Sequence, residues 1–168
     1  QLAAARDALA EFPEDFNTWI VAANLYKKAG DTAMAIRVLE YASLKWPANV
    51  ISYNNLGDIY MNTLKDYKKA EAAYLQQLSN VATDINAYHT LFDLYTTSYK
   101  NTAAAENILL KGISALPKAY DLNVLLARFY KAAGRTAEAK VQYDAAIKSA
   151  QAQGLDAIAA DIQQEAIR

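Results

Sequence analysis

The chain has 168 residues, 54% hydrophobic and 21% charged, with 17 lysines and arginines against 18 aspartates and glutamates. That is long and apolar enough to bury a sizeable core, while a balanced charge with no basic run beyond two residues excludes the positive footprint that nucleic acid requires. No cysteine is present, which excludes disulfides, thiol catalysis and zinc–thiolate sites, and no apolar stretch approaches the roughly 20 residues needed to cross a bilayer.

Residues 2–12 read as a lone helix, with Ala8 at a small position and Pro13 closing it. Next come Trp19, Ala22, Ala23 and Tyr26, spaced i, i+3, i+4, i+7 on one helix face. Gly30 breaks that helix, Asp31 opens the turn, and Ala35, Leu39 and Ala42 mark the inward stripe of a second helix ended by Trp46-Pro47. The pattern then returns. Tyr53, Leu56, Gly57 and Tyr60 precede Ala70 and Tyr74. Tyr88, Leu91, Phe92 and Tyr95 precede Ala105, Leu109 and Gly112, closing at Pro117. Asn123, Leu126, Ala127 and Tyr130 precede Gly134, Ala139, Tyr143 and Ala146. Leu155, Ile158, Ala159 and Ile162 lie on one face of a last helix, read as a cap with a polar outer side.

The comb Trp19, Tyr53, Tyr88, Asn123 has spacings of 34, 35 and 35, and Ala35, Ala70, Ala105, Ala139 has spacings of 35, 35 and 34. Self-similarity at this period means a helix-turn-helix unit stacked on copies of itself. The units run over 16–49, 50–84, 85–119 and 120–153, with an N-terminal half-repeat at 1–15 and a capping helix at 154–168, all in one domain of about ten helices. Small residues recur where helices cross closely, since a larger side chain there overpacks the contact by roughly 1–3 kcal/mol. Units two and three carry one extra residue, expected in the connections Thr63-Leu64-Lys65-Asp66 and Ser98-Tyr99-Lys100-Asn101, where it tilts the second helices outward.

The run Tyr53-Asn54-Asn55-Leu56-Gly57-Asp58-Ile59-Tyr60 resembles the tetratricopeptide repeat signature, with Asn123 standing for an aromatic and Ala82 for a proline in other units. The resemblance implies an all-α, right-handed superhelical solenoid of antiparallel helix pairs whose first helices line a concave groove. Repeat positions 2, 5, 9 and 12 lie off the packing face, so they are the expected groove residues. They are Asn17, Ile20, Asn24 and Lys27; Ile51, Asn54, Asp58 and Met61; Asn86, His89, Asp93 and Thr96; Asp121, Val124, Arg128 and Lys131. The set is rich in asparagine, acidic at its middle and basic at its ends, which suits an extended peptide with positive charge near its centre.

Relatives that clamp a chaperone's C-terminal carboxylate use two lysines, two asparagines and an arginine. Here Asn24 and Asn55 match the asparagines, but Ile20, Asn86 and Thr90 stand where the cations belong, so that clamp is missing. His89 is the lone histidine, with Asp93 four residues on; two ligands do not make a zinc site, and no nucleophile is spaced beside it. No cofactor and no enzymatic activity are expected. The leading reading is a protein- or peptide-binding scaffold without nucleic-acid or direct membrane contact. The alternative is a structural spacer or self-association module, pairing through Leu2 and Leu9 at one end and Ile158 and Ile162 at the other. Because the chain opens at Gln1 in mid-repeat, it reads as a fragment of a longer protein. Its alanine-rich second helices resemble bacterial members, whose parent is compatible with an envelope anchor.

Overall fold

The computed structural model describes residues 2–167. Gln1, where the expected half-repeat opens, and Arg168, where the expected cap ends, lie outside the described residues. Among the described residues the chain is all α, with ten α-helices and no strand. In order these are α1 (Leu2–Glu11), α2 (Phe16–Lys28), α3 (Thr32–Lys45), α4 (Val50–Asp58), α5 (Tyr67–Asn80), α6 (Ile85–Asp93), α7 (Thr102–Ala115), α8 (Tyr120–Ala132), α9 (Thr136–Ala152) and α10 (Asp156–Ile167). Two π-helical turns, Ile59–Thr63 and Leu94–Ser98, continue α4 and α6. None of these helices is long and apolar enough to cross a membrane. The helices divide into two compact units, Gln1–Ala87 and Tyr88–Arg168.

The entry to each first helix is built the same way. Asp15, Asn49, Asp84 and Ala119 donate their backbone N–H to Phe12, Trp46, Val81 and Leu116, at 3.2, 2.9, 3.1 and 2.9 Å. Proline at the second position of such a turn fixes φ in advance, yet Ala82 makes the same turn, because the position demands only a φ that alanine reaches freely. Three of these turns end on a side-chain cap. Asp15 accepts from Thr18 N at 2.9 Å, Asn49 from Ile51 N at 3.1 Å and Asp84 from Asn86 N at 3.0 Å. Each satisfies one of the backbone donors that a helix start leaves orphaned. Ala119 has no oxygen with which to do so, and α8 starts without a side-chain cap.

The extra residue of the second and third repeats is not in the connection. Residues 29–31, 64–66, 99–101 and 133–135 link first to second helices, three residues in every case. The insertion lies one turn earlier, as a π-helical widening of the first helix, which therefore needs no outward displacement of the connection. A π turn leaves the ladder at i→i+5 and takes up one residue without breaking the chain of hydrogen bonds. Gly30 and Gly134 leave their helices at φ of 83° and 74°, and Lys65 and Lys100 occupy the matching places at 55° and 51°.

In the first unit Ala35 and Ala70 are fully buried, and a Cβ on Gly57 would stand inside the Tyr74 ring. In the second unit Ala105 and Ala139 are buried, and a Cβ on Gly112 would sit 2.9 Å from both Leu122 and Tyr88. These contacts explain the small residues of the comb, since the facing large side chain occupies the missing volume. Tyr53 buries its ring and keeps its hydroxyl paired. Tyr53 donates to the Ser43 carbonyl at 3.0 Å and accepts from Asn80 Nδ2 at 2.7 Å. The second unit holds a compact core of Val124, Ala127, Tyr143, Ala146, Ala159 and Ile162 among others, with Leu155 and Ile158 packed against it.

Candidate functional site

In the first unit, α2 and α4 carry the expected groove residues of the first two repeats. Asn17 and Asn24 are exposed on α2 and Ile51 on α4, whereas Ile20, Asn54, Asp58 and Met61 are half-buried. Asn17 lines a recess of 280 Å³ between α1 and α2, and Ile51 one of 650 Å³ formed by residues 45–51. Lys27 Nζ lies 2.6 Å from Asp58 Oδ2, and Asn62 Nδ2 donates to the other oxygen at 2.7 Å. The lysine's hydrogen bond outweighs burial and holds the Asp58 carboxyl below its ordinary range. One of the three carboxylates expected to greet a cationic ligand is thus already neutralised within its own unit. Asn55, the second asparagine of the clamp pattern, donates to the Ile51 carbonyl at 2.8 Å. Asn86 is exposed on α6, in the first turn capped by Asp84.

In the second unit the expected residues converge. His89, Asp121, Val124 and Arg128 line one cavity of 410 Å³, together with Tyr120 and Leu125 of α8 and Ile158, Asp161, Ile162 and Glu165 of α10. The helical spacing of Asp121, Val124 and Arg128 puts them on one stripe of α8. His89 Nε2 approaches Asp121 Oδ2 at 3.2 Å from α6. Val124 is 7% exposed, so it is a floor residue of the cavity and a core residue at once. Asp93 is exposed, and the Thr96 hydroxyl donates to the Phe92 carbonyl at 2.9 Å within the π turn. Lys131 is exposed near α10 and donates to the Glu165 carbonyl at 3.4 Å.

Sequence reasoning did not reach the α10 wall. Arg128 donates from Nε and Nη2 to the two oxygens of Glu165 at 2.7 and 2.6 Å, a fork that matches the carboxylate plane. The Tyr143 hydroxyl donates to the same carboxylate at 2.8 Å. The arginine bond is the main cause that lowers Glu165 to about 2, and burial pushes Tyr143 up to about 12. The partners lie 37 residues apart, beyond any local spacing rule. Ile158 and Ile162, the residues of the self-association alternative, line this cavity. A second unforeseen cluster has Arg135 donating to Glu106 at 2.6 and 3.1 Å and to Glu138, with its guanidinium 4.1 Å from the Tyr130 ring centre. It ties the end of one helix pair to α7 and faces no cavity described above. Among the described residues no group of three or more His, Cys, Asp or Glu is placed to hold a metal ion.

A profile of the tetratricopeptide repeat matches residues 50–80 and 120–153. Those two segments are tetratricopeptide repeats. A comparison with curated proteins returns no match. Solved structures resemble the chain in fold. MamA is 19% identical with a TM-score of 0.56, covering 90% of this chain and 90% of its own. YrrB, a tetratricopeptide repeat protein with an unusual peptide-binding site, is 16% identical with a TM-score of 0.58, covering 99% of this chain and 92% of its own. PilW, a type IV pilus biogenesis factor, is 20% identical with a TM-score of 0.53, covering 97% of this chain and 81% of its own. At these identities the likeness is one of fold, and function has to be argued from the site.

Proposed function

We propose that this tetratricopeptide repeat chain is a non-catalytic scaffold that holds a peptide or extended protein segment against its first helices. The observation that carries the reading is the 410 Å³ cavity, in which His89, Asp121, Val124 and Arg128 meet. A cavity of this size with an apolar floor and a few polar groups suits a side chain and its flanking backbone. An extended segment brings unpaired N–H and C=O groups, and exposed or half-exposed asparagines such as Asn24 and Asn54 offer both donor and acceptor. Nothing in the cavity lining pairs a nucleophile with a base. His89 meets a carboxylate, and the arginine is committed to another. YrrB, which shares the fold, is described as having a peptide-binding site, which favours the same class of partner here.

The test is site-specific photo-cross-linking in extract of the source organism. A benzophenone side chain is placed at Asn24, Asn54 or Leu125 on first helices, and at Leu75 or Val141, exposed on second helices. The reading expects a common adduct from the first-helix positions. Equal labelling from both sets, or adducts confined to the second helices, would overturn it.

A further inference from the structure

The charge and floor of the second unit's cavity narrow what it accepts, taking the scaffold reading above as the starting point. Val124 and Ile162 are buried beneath it, and Leu125 and Ile158 are half-buried at its sides. The rim carries three carboxylates, Asp121, Asp161 and Glu165, against one guanidinium, Arg128. Arg128 is committed to Glu165 through both oxygens, so it offers little to an incoming anion. Three carboxylates against one guanidinium give the lining an excess of two negative charges beside an apolar floor. Such an arrangement attracts a cation while sheltering a neighbouring hydrocarbon side chain from water.

We infer that this cavity takes a peptide segment in which an apolar side chain adjoins a lysine or arginine, and that α10 forms one wall of the binding surface. The apolar side chain rests on Val124, Leu125, Ile158 and Ile162. The cation meets the Asp121 and Asp161 rim. Asp161 is exposed on α10, one turn from the Glu165 that Arg128 holds. That ion pair fixes α10 against α8 and keeps Asp161 at the rim. Besides the His89 ring, the charged groups that line the cavity are Asp121 and Arg128 on α8 and Asp161 and Glu165 on α10.

The experiment uses the 168-residue chain labelled with ¹⁵N, and three acetylated, amidated hexapeptides in a glycine–serine background. Their central pairs are leucine–lysine, leucine–glutamate and glycine–lysine, each titrated to about 5 mM, the range in which so small a ligand binds. The leucine–lysine peptide is expected to shift amides in 120–128 and 158–165 and to bind at least about tenfold more tightly than the other two. Its affinity falls as added salt shortens the screening length. Asp161→Lys, an exposed helix substitution whose folding circular dichroism checks, takes the lining from an excess of two negative charges to none and is expected to abolish the preference for leucine–lysine over leucine–glutamate. Equal binding of the two leucine peptides within the cavity overturns the charge assignment and leaves the scaffold reading standing. Absence of binding by the leucine–lysine peptide, or an unchanged preference in Asp161→Lys, also overturns it. If photo-cross-linking likewise yields no first-helix adduct, the scaffold reading fails with it.

Discussion

The backbone N–H of Asp66 donates to the carbonyl of Tyr60 at 2.8 Å, six residues back, whereas Asp31 reaches the carbonyl of Tyr26 at 2.9 Å across five. Both tyrosines hold the same place in their repeats, and both aspartates cap the following helix, Asp31 at Met34 N and Asp66 at Lys69 N. Asn101 and Tyr95 repeat the six-residue version at 2.8 Å, and Arg135 and Tyr130 the five-residue one at 2.9 Å. The two ends of the connection are therefore constant, and the inserted residue is absorbed inside the helix. Leu64 N to Ile59 O at 3.0 Å and Tyr99 N to Leu94 O at 3.1 Å are the i→i+5 bonds that accommodate it.

This geometry makes Lys65 and Lys100 unusual, since each holds a left-handed conformation that Gly30 and Gly134 adopt without penalty. A side chain there costs on the order of 1 kcal/mol, and glycine returns part of that through the greater entropy of the unfolded chain. Lys65→Gly is expected to raise stability by about 0.5 kcal/mol. Gly30→Ala, where a Cβ meets nothing within 4 Å, is expected to lower it by about 1 kcal/mol through the backbone alone. Urea unfolding followed by circular dichroism reads both, and a loss of stability in Lys65→Gly would contradict the assignment.

Gly57 tests the close packing of α4 on α5. Alanine at a helix interior is favoured over glycine by about 1 kcal/mol, but overpacking costs roughly 1–3 kcal/mol. Tyr74 is only 5% exposed, so its ring has little room to withdraw, and the second effect wins. Gly57→Ala is expected to destabilise by about 1–2 kcal/mol. Combined with Tyr74→Leu, it should cost little beyond the Tyr74→Leu variant itself. A double-mutant cycle measures this, and a coupling near zero would mean the ring is not the obstacle.

The parts of this fold legible in the sequence are those set by periodicity. Ala35, Ala70, Ala105 and Ala139 are all buried, as their spacing required, and the two mid-helix glycines meet large side chains. The location of the inserted residue was not legible. A π turn and a longer connection differ by a few hydrogen bonds, and residue type at Thr63 or Leu64 does not decide between them. The site was legible in part. Helical geometry brought Asp121, Val124 and Arg128 to one stripe, but it does not say which charges are already spent. Lys27 with Asp58, 31 residues apart, and Arg128 with Glu165, 37 apart, depend on how separate helices pack. Spacing along one helix therefore overstated the acidity of the α4 face and left out the carboxylates of α10.

Ala119 stands where the first helices of the other repeats begin with Asp15, Asn49 or Asp84. Its carbonyl and turn are already in place, with Ala119 N bound to Leu116 O at 2.9 Å. Ala119→Asp adds a carboxylate acceptor for an orphaned N–H of α8 and places a negative charge at the positive end of the helix dipole. A gain of about 1 kcal/mol is expected, read as a higher urea midpoint with an unchanged slope. Asp15→Ala should lower the urea midpoint, since its carboxylate accepts from both the backbone and the hydroxyl of Thr18. An unstable Ala119→Asp variant would show that the fourth repeat enters its helix differently.

Glu165 links α10 to both α8 and α9, because its carboxylate accepts from Arg128 and from the Tyr143 hydroxyl. Its pKa drops from an ordinary 4.5 to about 2, chiefly through the arginine bond. A group held below its unfolded value stabilises the fold when ionised. The full contribution is therefore present above about pH 4.5 and is lost as the pH falls toward about 2. The side chain is 32% exposed, so solvent screening reduces the effect to about 1 kcal/mol, well under what an unscreened shift of this size implies. Urea unfolding of the wild type between pH 6 and pH 3 should show this loss, over and above that from other carboxylates. Glu165→Gln should be less stable than wild type at pH 6 and should converge with it at low pH. Parallel curves for the two proteins across that range would show that the Arg128–Glu165 pair does not hold α10 in place.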